Sequence, residues 1–317
     1  MVAASPVNQV LFANTSPGPR QSPAEKELRV GIIGAENSHS HTFSRKFNID
    51  KSYPGVSVTH IWGETDEFAR NSAEKGNIPH IVSDPLEMMG KINALIVDHR
   101  HGKYHLAAAR PFVEKGIPSF IDKPFCYRAE EGLEFLQMAR TRGTAVSSMS
   151  TSAYIRMIPE IREELDTVKR IGHVVIYAPA YLKPEYGGVF YYVVHAVQVI
   201  TNLFGDAISR VRMTLSGDLA RATLLFESGL MATILLVEQY YGFHLNVETN
   251  KGLLSYELTS EEGARNIFYT DLVEMFRTGK EPREHQNILN EVSILEALER
   301  SHGNQQWEEV KFLDLGY

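Results

Sequence analysis

Apolar positions along the chain follow two different rhythms, and the change comes near residue 152. Up to that point, apolar runs of strand length alternate with stretches of helical spacing. The segments "LRVGII", "VSVTHIW", Ile81-Val82, "INALIVD", "PSFID" and "TAVSSMS" read as six strands. Between them Phe43 and Phe47 lie one helical turn apart, and Phe68 to Lys75 is helical and stops at Gly76. "DPLEMMG" opens a helix with Asp84 as cap and Pro85 at its first position. "YHLAAARPFVEKG" is helical through Pro111 to Gly116, and Ala129 to Arg142 is a further helix. Parallel strands need crossover helices, so this alternation predicts a doubly wound parallel sheet.

Beyond 152 the strands follow one another directly: "GHVVIYAPAYL", "RVRMTLSG", "LARATLLFE", "LMATILLVEQ", "FHLNVET" and "GLLSYELT", with Ser228-Gly229 as a hairpin turn. One long helix, Val189 to Phe204, interrupts them, and two more, near Ile267–Thr278 and Gln286–Ser301, close the chain. This predicts an α+β unit with a large, mostly antiparallel sheet. The expected division is a Pro- and Ser-rich leader or arm at 1–27, an α/β domain at 28–151 and the α+β domain at 152–317.

The 317 residues, 43% of them hydrophobic, suffice for two cores. The net charge of −7 is spread along the chain with no basic block, so neither nucleic acid nor a membrane is the expected partner. The single cysteine, Cys126, fits a reducing compartment, here taken as the cytoplasm. The leader has only the short apolar cluster Val10 to Ala13 with no preceding charge, unlike a secretory signal. The wet face of the second sheet, with runs such as "LMATILLVEQ", predicts a homodimer or homotetramer built through it.

The chemistry gathers at the carboxyl ends of the first strands. "RVGIIGAENSHSHTF" reads as a strand entering a nucleotide turn, with Gly31 and Gly34 at the first two glycine positions and the third glycine missing. Glu36, Asn37, Ser38 and His39 follow as turn residues facing a cofactor. His39 and His41 fall at a helix start rather than on a strand, so they are read as capping or pocket lining, not as a metal site. Glu64 ends the second strand, where an acid holds ribose hydroxyls and repels a 2′-phosphate; this favours NAD(H) over NADP(H). The cluster His99, Arg100, His101, Lys103 and His105 after the fourth strand makes Arg100 and His105 candidates for the cofactor phosphates or an anionic substrate.

"FIDKPFC", 120–126, resembles the Glu-Lys-Pro motif of the glucose–fructose oxidoreductase/inositol dehydrogenase/rhizopine catabolism (Gfo/Idh/MocA) family, with Asp122 in place of the glutamate. The likeness extends through "KYHLAAARPFVEKGIPSFIDKP" and the antiparallel half to the closing "FRTGKEP" and "WEEV". It implies a Rossmann domain for the first half, hydride transfer between nicotinamide and a sugar or polyol carbon, and Lys123 as the catalytic lysine, with Asp122 beside the cofactor. The family's Asp-x-Gly-x-His helix matches "GGVFYYVVHAVQVI": His195 keeps the histidine, but Tyr191 stands at the aspartate and Val193 at the glycine. Tyr191, His195 and Gln198 share one helix face. The expected roles are His195 as general acid/base, Lys123 as donor to the reacting oxygen and Tyr191 as proton relay, with Tyr154, Arg156, Tyr192 and Gln198 contacting substrate. Two alternatives stay open. One is a non-catalytic cofactor- or sugar-binding regulator of the same fold, and the other a reductase of a non-sugar substrate.

Overall fold

The computed structural model describes residues 27–316 apart from 218, 239 and 260–265; the leader at 1–27 therefore lies, all but its last residue, outside the described residues. The first sheet is parallel throughout and has the strand order β3-β2-β1-β4-β5-β6. Its strands are β1 (Leu28–Ile33), β2 (Val56–Trp62), β3 (His80–Ile81), β4 (Ala94–Val97), β5 (Ser119–Ile121) and β6 (Val146–Ser147). The order reverses between β1 and β4, which opens a crevice at their carboxyl ends. Helices α1 (His39–Ser44), α2 (Asp66–Gly76), α3 (His105–Val113) and α4 (Ala129–Arg142) make the crossovers. Where a helix was expected after Asp84, the chain makes one 3-10 turn, Pro85–Met88, held by an Asp84/Glu87 capping box.

The second sheet runs β12-β11-β7-β10-β9-β8-β13. Its strands are β7 (Ile171–Pro179), β8 (Ile208–Ser216), β9 (Leu219–Phe226), β10 (Met231–Val237), β11 (Phe243–Thr249), β12 (Gly252–Leu258) and β13 (Glu308–Glu309). Its strand pairs are antiparallel except β7 with β10, which run parallel because α6 (Val189–Phe204) and the β8–β9 hairpin intervene. Helix α6 lies on the inner face with Val193, Val197 and Ile200 buried among Ile176, Ile234 and Leu245. Burial alternates along β10, with Ala232, Ile234 and Leu236 inside and Met231, Thr233 and Leu235 on the outer face.

The closing helices return to the first sheet. Phe268, Tyr269 and Leu272 of α7 (Asn266–Thr278) pack on Phe43, Phe47 and Phe120, and Ile288, Leu289 and Val292 of α8 (His285–Asn304) join Phe125, Phe135 and Leu136. A cut at 151 would strip both faces of the parallel sheet. Helix α5 (Met157–Asp166) was not expected from the sequence; its moment is carried by only three buried residues, Ile158, Ile161 and Leu165. No described helix is long and apolar enough to cross a membrane.

Candidate active site

The turn after β1 is built on Gly34. Its φ is +109°, and a Cβ there would stand 2.5 Å from the backbone of Asp98 and His99. Gly31 does something else: it lies inside β1, where a Cβ would run into Ile92 and Met88. The G-x-G-x-x-G spacing therefore starts at Gly34, and the two later glycine positions are Glu36 and His39. Assigning Gly31 to the turn misread the register by one glycine.

Glu64, at the end of β2, reaches into this turn. Its carboxylate accepts from Ala35 N and Glu36 N at 2.9 Å each and from His99 Nδ1 at 2.8 Å. Burial would raise its pKa, but the bonds from His99 and Ala35 outweigh burial and hold the carboxyl below the usual range. The Glu36 side chain turns away from the turn toward the second sheet, accepting from Tyr186 Oη at 3.1 Å, with Arg100 at 3.9 Å.

Two buried aspartates from neighbouring strand ends meet under the turn. The Asn37 amide donates to Asp98 at 2.9 Å and to Asp122 at 3.2 Å; His39 Nδ1 lies 3.1 Å and Lys123 Nζ 3.5 Å from Asp122. One oxygen of Asp98 is buried with no partner. An ionised carboxylate so placed would leave charge uncompensated. Burial first and the charge of Asp122 second push Asp98 well above the ordinary carboxyl range, whereas Lys123 and His39 overcome burial and hold Asp122 well below it. Of the pair, Asp98 is therefore the carboxyl that takes up a proton more readily, and Asp122 the one that holds its negative charge, facing Lys123. His39, Asp98 and Asp122 also have donor atoms within 4.8 Å of one another, but the adjacent Lys123 already supplies the cation.

From the second sheet, α6 presents Tyr191, Tyr192 and His195. His195 is buried, with Nδ1 2.6 Å from Ser150 Oγ, and Ser150 N donates to Gln198 Oε1 at 2.6 Å. Ser150 Oγ also accepts from Ser152 N, so its hydroxyl hydrogen is available to Nδ1, and Ser150 can serve either imidazole tautomer. Tyr192 stacks edge-on against the imidazole at 4.8 Å. Lys123, Arg100, Tyr191, Tyr192 and His195 all line one cavity of roughly 510 Å³, together with the turn residues Glu36, Asn37, Ser38 and His39. The lysine arrives from the end of β5 and the histidine from α6, which puts a cation and a proton carrier on the lining of one space.

Residues 28–150 match the model of an oxidoreductase family, GFO_IDH_MocA, with an NAD-binding Rossmann fold. That match takes in the parallel-sheet part of the chain, from β1 to just past β6. No curated protein matches it in sequence. Solved structures share the fold at low identity. GenD2 from gentamicin A biosynthesis, crystallised with NAD, is 15% identical with TM-score 0.77, covering 93% of this chain and 100% of that one. Lactobacillus casei myo-inositol dehydrogenase, in complex with NAD(H) and myo-inositol, is 17% identical with TM-score 0.75, covering 90% and 98%. A probable dehydrogenase from Thermotoga maritima is 16% identical with TM-score 0.73, covering 89% and 99%.

Several expected site residues sit elsewhere. Gln198 spends its carbonyl on Ser150 and opens, with Tyr154, into a separate polar cavity behind α6. Arg156 is exposed and paired with Glu160 one turn on. His105 is fully buried, its ring bridging the carbonyls of His99 and Pro124 at 2.8 Å, so it pins two loops instead of meeting a phosphate. Tyr191 Oη accepts from both Nε and Nη2 of Arg100, at 3.1 and 3.0 Å. With both lone pairs taken its oxygen is anchored on Arg100 and its hydroxyl is left as a donor, which favours a positioning role over a proton relay. Asp98 and Ser150 were missed. Their only signals were an acid ending the apolar run "INALIVD" and a serine ending "TAVSSMS", each at the carboxyl edge of a parallel strand, where such folds bind ligands.

Proposed function

We propose that this protein is an NAD(H)-dependent dehydrogenase or reductase acting on a hydroxyl-bearing carbon of a small polyhydroxylated molecule. The observation that carries this is Lys123 and His195 on the lining of one cavity, together with residues of the Gly34 turn. The turn fits a dinucleotide, since backbone is packed against Gly34 at a distance no side chain tolerates. Gly34, Asn37, Ser38 and His39 would hold the cofactor, and Glu64 its ribose. When bound, the nicotinamide supplies the hydride chemistry. Lys123 donates to the reacting oxygen and stabilises its negative charge, Asp122 holds the Lys123 side chain in place, and His195, oriented by Ser150, exchanges the hydroxyl proton. The test is nicotinamide absorbance during incubation with a panel of sugars, cyclitols and sugar acids. No turnover together with no NADH binding would leave the regulator reading in its place.

Glu64 supports NAD(H) over NADP(H), because its carboxylate is fixed at the turn by three donors and would face a 2′-phosphate. Competitive titration is expected to give the tighter constant for NADH; tighter NADPH binding would refute the preference. Glu36 stands where the fingerprint uses glycine to let backbone approach the pyrophosphate. Glu36→Gly removes a like charge worth on the order of 1 kcal/mol near the surface. NADH should then bind about fivefold more tightly by fluorescence titration, and weaker binding would show that Glu36 serves the cofactor.

Tyr191→Phe deletes an acceptor for Arg100, an interaction worth about 1 kcal/mol. The expected result is a KM raised about fivefold with kcat within about threefold; a collapse of kcat would restore Tyr191 to the proton path. The same reading gives a cytoplasmic protein that forms a homodimer or homotetramer through the second sheet. Tyr177, Met231 and Leu253 are exposed on that sheet, and Leu235 and Val237 are half-buried there. Sedimentation at micromolar concentration is expected to show no monomer.

A further inference from the structure

The cavity has an unusual wall for a neutral polyol. Tyr181, Tyr191, Tyr192 and Tyr241 line it. Their rings form a connected series, with centroids 5.9 Å apart for Tyr191–Tyr192, 4.9 Å for Tyr181–Tyr192 and 6.0 Å for Tyr181–Tyr241. Such a wall offers flat apolar faces to a ring and phenol hydroxyls to its edge.

The charges on the lining are unequal. Three cations face the space, Arg100, Lys123 and Lys183, against one carboxylate, Glu36. Lys123 is matched from behind by Asp122, and Arg100 lies 3.9 Å from Glu36. Lys183, on the loop between β7 and α6, is exposed and has no ion pair among the described residues. The residues that α6 contributes to the wall, Tyr191, Tyr192 and His195, include no acid. Hydroxyl groups need acceptors for their protons, and Glu36 is the only carboxylate on the wall. A carboxylate needs donors, and Lys183, Arg100 and the phenols supply them.

Resting on the dehydrogenase reading above, we propose that the substrate is a hydroxylated ring carrying a carboxylate, whose ring lies along the tyrosine wall and whose acid group is met by Lys183. Oxidation breaks the C–H and O–H bonds of one ring CH–OH. The hydride passes to the oxidised nicotinamide, the proton to His195 and on to water, and the carbon becomes a ketone, with the carboxylate unchanged.

The experiment compares the uronic acids of glucose and galactose with their parent sugars, using the full chain and NAD⁺. The acids should show kcat/KM at least about tenfold above their parents. Lys183→Ala should lower that acid-to-neutral ratio at least about fivefold. As a readout without turnover, the acids in the presence of NADH should raise the melting temperature more than the parent sugars do, and Lys183→Ala should erase the difference. Preference for the neutral sugars overturns the proposal. So does a Lys183→Ala variant that loses NADH affinity while keeping the acid-to-neutral ratio, which would give Lys183 to the cofactor phosphates. If nothing is oxidised and NADH does not bind, the dehydrogenase reading fails. Calorimetry of each acid against its parent then decides the present proposal by itself.

Discussion

Lys123→Ala is expected to lower kcat on the order of 100-fold or more while NADH binding stays within about threefold. The ammonium is 7% exposed, stands 3.5 Å from Asp122 and lines the reaction cavity. A fixed charge in a water-poor site stabilises a developing alkoxide far better than solvent does, and removing one such donor commonly costs that factor. The Gly34 turn backbone would meet the pyrophosphate and Lys123 the reacting oxygen, so binding and turnover should separate. Rapid-mixing measurement of nicotinamide reduction, beside a fluorescence titration of NADH, checks both halves. A near-normal rate would take Lys123 out of the chemistry and favour a regulator.

Asp122→Asn and Asp98→Asn should behave very differently although the two carboxyls share one amide donor. Asp122 carries the negative charge opposite Lys123, so its neutralisation strands a buried ammonium and should cost about 3–5 kcal/mol of stability. Asp98 is the carboxyl whose neutral form its surroundings favour, and asparagine resembles that form; its replacement should cost less than about 1 kcal/mol. The sign of the pH dependence follows from the raised pKa of folded Asp98. Its stabilising contribution is complete below the unfolded carboxyl pKa, near 4, and is lost as pH rises through the folded value. Asp98→Asn removes that loss, so the variant should gain on the native protein as pH is raised from about 4. Denaturant melts of the three proteins across pH decide it. Equal destabilisation by both changes would mean that the two carboxyls are not held apart in this way.

How much of this was legible depended on whether the signal was local. Helix α6 was read to the residue, Val189 to Phe204, because a gap-free apolar periodicity follows directly on Gly187-Gly188. The parallel order of the first sheet followed from strand–helix alternation. The packing of α7 and α8 on that sheet did not, because their partners lie more than 130 residues away in sequence. Lys123 was placed by its motif, whereas Asp98, which shares the Asn37 amide with Asp122, comes from the next strand in space and 25 positions before Lys123, where one acid after an apolar run looks like any loop residue. Shared helix face misled for Gln198: it does lie one turn from His195, but a 16-residue helix wedged between sheet and neighbours shows different neighbours at each end. Ser150 and Tyr154 there belong to the chain leaving the first sheet, a contact that spacing along α6 cannot report.

The most direct test is a crystal structure of the full chain with NADH. The dehydrogenase reading expects the pyrophosphate at the Gly34 turn, the ribose hydroxyls on Glu64, and C4 of the nicotinamide facing the cavity between Lys123 Nζ and the His195 ring. NADH bound anywhere else, or with its nicotinamide turned away from Lys123 and His195, would contradict it.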